Sequence, residues 1–173
     1  MRNLKIIVLS FMILSITGCS NSNVNFVKNG VFNDYQSTTV GQAFDNWKMC
    51  DSVTWEEFES DNGSQHVEFN CFAGNSLQSY LTSKAFFFVD GNTQYSDDKK
   101  EGKIIRQGIN FTTQFQINLD DSFEINYMGA SSEGYGEIDL SGLGTANDFL
   151  DIIMPNQKFS AETMWFITFR LSL

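Results

Sequence analysis

Few side chains in this sequence can do chemistry: three cysteines, one histidine and 21 carboxylates. Cys50 and Cys71 have 20 residues between them, no Cys-x-x-Cys spacing and only His66 to share as a metal ligand. In an exported, oxidising compartment an even pair of this kind reads as one structural disulfide. Closing that loop is worth about 3 kcal/mol in the chain-entropy account. A redox-active or metal-binding pair is the alternative, and no neighbouring ligand supports it. His66 is the one candidate general base. It stands between polar residues on the outward parity of a predicted strand, and no Ser or Cys nucleophile motif accompanies it, so it reads as a surface histidine. The chain also lacks G-x-S-x-G, H-E-x-x-H and a phosphate-binding loop.

The carboxylates cluster twice. Asp90, Asn92, Asp97 and Asp98 have the composition of a calcium loop, but the run D-G-N-T-Q-Y-S-D-D lacks the glycine position and the terminal glutamate of an EF-hand. A solvated turn accounts for it. Glu56, Glu57, Glu59 and Asp61 form an acidic strand edge, which suits a basic partner and equally protects an edge strand from aggregation. The sequence therefore implies no catalytic residue, no cofactor and no metal site.

The remaining thiol, Cys19, ends a leader. Arg2 and Lys5 form a basic head, Ile6 to Ile16 is mainly apolar, and Ile16-Thr17-Gly18-Cys19 matches a lipobox. The apolar run is too short for a permanent membrane span and has the small-residue flank of a cleavable signal. Residues 1–18 are thus expected to be a lipoprotein signal peptide and 19–26 a lipidated tether, with acyl chains on Cys19 holding the rest to a membrane. Ser20 stands where an aspartate would favour inner-membrane retention. Resemblance to enteric lipoproteins then implies the outer membrane.

The 11 Lys and Arg against 21 Asp and Glu give a net charge of −10; removing Arg2 and Lys5 with the leader makes it −12. Such a surface repels phosphate backbones, which argues against nucleic acid as a partner. The 155 residues left after the leader suit one domain, and 17 Phe, 5 Tyr and 3 Trp suffice for its core.

The elements that would position these groups follow from pattern. Val27 to Tyr35 reads as an opening strand or loop. Thr38 to Met49 reads as a helix, with a Thr39/Gln42 capping box and Val40, Ala43, Phe44 and Trp47 on one face. Val53 to Phe72 is a hairpin around Asp61-Asn62-Gly63, which sets Trp55 opposite Phe69 and Val53 opposite Cys71. Lys84 to Val89, with Phe86, Phe87 and Phe88, reads as a strand buried on both sides. Lys103 to Arg106 reads as its return. Ile109 to Tyr127 alternates cleanly, with Ile117 opposite Phe123 and Phe115 opposite Ile125 across an Asp120-Asp121 turn. Gly129 to Gly144 reads as loop. Thr145 to Met154 is a second helix capped by Thr145, and Met164 to Leu173 a final strand. The sum is an α+β domain over 27–173, a single antiparallel sheet of five to six strands with two short helices on one face.

Val27-Lys28-Asn29-Gly30-Val31, Thr39-Val40-Gly41-Gln42-Ala43-Phe44, Trp55-Glu56-Glu57-Phe58 and Val67-Glu68-Phe69 form a distinctive series, continued by Gln114-Phe115-Gln116-Ile117 and Phe123 to Tyr127. It resembles a widespread set of small bacterial envelope lipoproteins and secreted domains with N-G, T-V-G-x-A-F, W-x-x-F and V-x-F elements. The likeness covers roughly 27–72 and 109–128 and implies a shared fold. The chain departs from the pattern at 74–108, which reads as an insertion, and after Gly129. That family has no assigned activity, so no functional residue carries over. The expectation is a non-enzymatic, membrane-anchored binding or accessory module with a protein partner. An inhibitor or exclusion factor directed at a cationic protein is the alternative.

Overall fold

A computed structural model describes residues 22–84 and 100–173. The leader, Cys19, Phe86 to Phe88 and the Asp90 to Asp98 cluster lie outside the described residues. What is described is α+β: one open antiparallel sheet in the order β1-β2-β3-β4-β5, with six α-helices in the same stretches. The strands are β1 (Ser52–Glu59), β2 (Gln65–Ala73), β3 (Ile109–Ile117), β4 (Phe123–Ser132) and β5 (Gly136–Asp139). The helices are α1 (Ser22–Asn29), α2 (Val40–Asp45), α3 (Asn75–Lys84), α4 (Lys100–Gln107), α5 (Ala146–Ile153) and α6 (Ala161–Leu171).

The first hairpin has the register its alternation predicts, with Trp55 opposite Phe69 and Val53 opposite Cys71. Cys50 and Cys71 are disulfide-bonded, their Cα atoms 5.2 Å apart. The bridge ties the chain just before β1 to the neighbouring strand, β2. The Thr39/Gln42 capping box forms, Gln42 N donating to Thr39 Oγ1 at 3.2 Å and Thr39 N to Gln42 Oε1 at 3.1 Å. The helix it starts ends at Asp45, before Trp47 and Met49, which are nonetheless buried. Phe44 enters the core edge-on to Phe69 at 4.9 Å and to Phe115 at 5.5 Å. A second aromatic knot joins Trp47, Phe111 and Phe159, and Phe149 packs on Phe159. Edge-to-face pairs like these add to plain area burial.

Five segments depart from the sequence pattern. Residues 22–29, spanning part of the expected tether and opening strand, form α1, which buries Val24 and Val27; Asn33–Tyr35 is a 3-10 turn. Lys84 ends a helix, α3, and Lys103 to Arg106 belongs to another, α4, because Ile104 and Ile105 turn together into the core while Lys103 and Arg106 stay outside. The glycine-rich 129–144 stretch contains the end of β4, all of β5 and a 3-10 turn. Met164 to Leu173 is not a strand but most of α6, capped by Ser160, whose Oγ accepts from Thr163 N at 3.0 Å. α5, by contrast, begins at its predicted cap, Thr145.

Candidate functional site

The described helices and loops supply the core on one face of the sheet, where Val67, Phe69, Cys71, Ile109, Phe111 and Phe115 are buried. Strand pleating sends the alternate residues to the other face. The register lays these out in four rows. Phe58, His66, Gln116 and Glu124 form the row nearest the 60–64 and 118–122 turns. Glu56, Glu68, Gln114 and Tyr127 form the next, then Thr54, Asn70, Thr112, Gly129 and Asp139. The last row is Ser52, Phe72, Asn110, Ser131 and Glu137.

This face is a fixed polar surface. Glu68 accepts from Asn70 Nδ2 at 2.7 Å and from Gln114 Nε2 at 2.8 Å, and Thr112 Oγ1 donates to Asn70 Oδ1 at 2.8 Å. The chain of bonds orients both amides and leaves the carboxylate with two neutral donors and no cation. Tyr127 donates to Glu137. Burial, that bond and the nearby Glu137, Asp139 and Glu68 carboxylates raise its phenol pKa, so it stays a donor through the physiological range. Phe58 and Phe72 remain exposed at opposite ends of the face.

A β-bulge builds one corner. Gln114 pairs with Tyr127 and Phe115 with Ile125, leaving Asn126 as the extra residue on β4. The bulge reverses the parity beyond it. Tyr127, which period-two reading places on the core side with Phe123 and Ile125, lies on the open face instead, while Met128 and Ala130 turn inward. Tyr127 lies over Gly129, where any Cβ would collide with the phenol. Beside the bulge a groove of about 480 Å³ opens towards the start of α5, lined by Asn126, Tyr127, Asp139, Ser141 and Thr145 with Phe149 behind. Its volume is within the range of small-ligand pockets.

The four carboxylates of the sequence-predicted acidic edge are all exposed on or just beyond β1, an edge strand of the sheet, and they divide between its two parities. Glu56 is on the open face. Glu57 has the opposite parity and accepts from Asn23 N at 3.0 Å, capping the start of α1. Glu59 accepts from Gln65 Nε2 at 2.8 Å, and Asp61 is in the turn. His66 has the outward parity expected but is 6% exposed, not a surface residue. Phe58 stacks on it at 5.1 Å, and Asn126 of the bulge comes within 3.5 Å of its Nδ1. Among the described residues no three or more His, Cys, Asp or Glu side chains gather as a metal-holding group.

Glu68, Asn70, Thr112, Gln114 and Tyr127 were missed as site residues. The outward parity of Glu68 and Asn70 is readable, but their union with β3 depends on a register across the 74–108 insertion. The charge on the sheet is one-sided: Glu56, Glu57, Glu59, Glu68, Glu124, Glu137 and Asp139 are acidic, and among the described residues no strand carries Lys or Arg. Arg170 of α6 shares a small hollow with Asp139 at the β5 edge. No family model, no curated protein and no solved structure matches this chain.

Proposed function

We propose that this chain is a lipid-anchored envelope protein acting as a non-enzymatic binding or accessory module, and that the open sheet face docks a cationic protein. One observation carries the docking proposal: a hydrogen-bonded polar face with five carboxylates, no Lys or Arg on any described strand, and exposed aromatics at both ends. Acids held in place before a partner arrives favour fast, selective capture of a basic surface. The lipobox at Cys19 supports the anchor, and the Cys50–Cys71 bridge suits an exported protein. The outer membrane is the proposed location, with nucleic acid excluded by charge. An inhibitor or exclusion role, against a basic hydrolase or an incoming phage or conjugation component, is the second reading and uses the same face.

The test begins with crosslinked envelopes, from which the protein should recover a specific basic partner. Affinity for that partner, or for lysozyme as a basic probe, is then measured at low ionic strength. Glu56→Gln with Glu68→Gln and Glu124→Gln should weaken binding at least about tenfold, the scale of one or two lost charge pairs. Glu59→Gln with Asp61→Asn, off that face, should change it little. Equal losses from both sets would reduce the effect to net charge and end the assignment of the face.

A further inference from the structure

An acyl anchor on Cys19 would limit how far the fold can stand from a bilayer. Three residue steps separate Cys19 from Ser22, the first residue of α1, and at ~3.6 Å each they reach about 11 Å. α1 does not swing from that tether as a free segment. Val24 and Val27 are buried, Asn23 N is held by Glu57, and Phe26 packs edge-on to Phe123 at 5.8 Å. Glu57 and Phe123 both lie close to the turn end of the sheet, where residues 60–64 join β1 to β2 and residues 118–122 join β3 to β4. The far end, at residues 133–135 between β4 and β5, is about 30 Å away along the ten residues of β4, at ~3.3 Å each. An acylated Cys19 therefore holds the turn end of the sheet nearer to a bilayer than the far end.

That end also exposes apolar side chains. Leu119 is fully exposed at the β3–β4 turn, and Phe26 and Phe58 are each more than one-third exposed. Glu59, Asp61, Asp120 and Asp121 stand beside them and would repel an anionic headgroup layer. We propose that the 60–64 and 118–122 turns form a membrane-docking end that rests on zwitterionic lipid, with the strands pointing away from the bilayer. The acidic sheet face then stands upright beside the membrane, accessible from the side, with only its Phe58 end meeting lipid. This rests on the acylation of Cys19.

The test uses the native lipoprotein purified from membranes, its acylation verified by intact mass and its fold by circular dichroism. Leu119→Cys and Glu133→Cys are labelled separately with a donor dye; both positions are exposed, and the remaining cysteines are acylated or bridged. In phosphatidylcholine vesicles carrying an acceptor lipid, energy transfer from position 119 should exceed that from 133 several-fold, and added phosphatidylglycerol should lower it. Equal transfer from an acylated chain overturns the orientation while leaving the anchor intact. An unacylated chain removes anchor and orientation together. Shielding of the 119 label that grows with protein concentration and needs no lipid would make the covering partner a second copy, and would overturn the membrane assignment.

Discussion

Asp51 follows the disulfide residue Cys50 and closes the seam between β2 and α3. Its Oδ2 accepts from Gly74 N at 2.8 Å and its Oδ1 from Ser76 N at 3.0 Å, serving as a remote cap for a helix whose first N–H groups would otherwise lack partners. Ser76 Oγ in turn donates to Met49 O at 2.6 Å. Burial pushes the Asp51 carboxyl pKa up, but the N–H donors of Ser76, Gly74 and Asn75 and the Ser76 hydroxyl outweigh it, and the net shift is downward. A carboxyl with a lower pKa folded than unfolded stabilises the fold above its ordinary value, about 3.9, and loses that contribution as pH falls through the folded value. Asp51→Ala is expected to cost about 1–2 kcal/mol near neutrality, as helix-cap deletions do. In urea unfolding followed from pH 7 downward, the gap between wild type and variant should close below about pH 4. A gap that widens on acidification would contradict the cap assignment.

At the scale of elements, α6 shows where sequence periodicity fails. Trp165, Ile167, Phe169, Leu171 and Leu173 alternate well enough for a strand, yet the helix buries Met164, Ile167, Thr168 and Leu171 and leaves Trp165 and Phe169 stacked on each other at its surface. So apolar a run satisfies both periods, and Ser160, the cap that decides between them, is an ordinary serine in the sequence. Met164→Ala should cost about 2–5 kcal/mol, and Trp165→Ala well under half of that, in thermal or urea unfolding. The reverse order would restore the strand. The same contrast explains what else was legible. The β1–β2 register was readable because Asp61-Asn62-Gly63 fixes the turn and both strands alternate. The β3–β4 register was readable up to Ile125 and lost at Asn126, since one inserted residue reverses parity without a glycine or proline to mark it. α1 and α4 are short and only partly apolar, so their helicity comes from burying Val24, Val27, Ile104 and Ile105 rather than from local propensity. The open face went unread because it depends on joining β2 to β3 and on the reversed parity of Tyr127, both tertiary facts.

Over the whole molecule, the charge that would suit the open face to a basic partner also strains the fold. Seven acids and no Lys or Arg lie on the five described strands, and the chain as a whole carries −10. Self-repulsion of this kind destabilises the compact state, and salt relieves it, the screening length falling to about 10 Å at 0.1 M and about 3 Å at 1 M. An ion pair between Lys28 and Asp45, at 2.7 Å, is on the helix side, partly exposed, and adds little that salt could remove. Raising sodium chloride from low ionic strength should therefore raise the melting temperature. Affinity for a basic partner should fall over the same range, because the attraction between the two surfaces is screened as well. The two responses have opposite signs, and that separates them from an artefact: binding lost through unfolding would fall together with stability. Calorimetry and binding measured on the same samples would test this. If both quantities fall as salt is added, the acidic face is held by cations not counted on the strands, and its role as an open site for a basic protein fails.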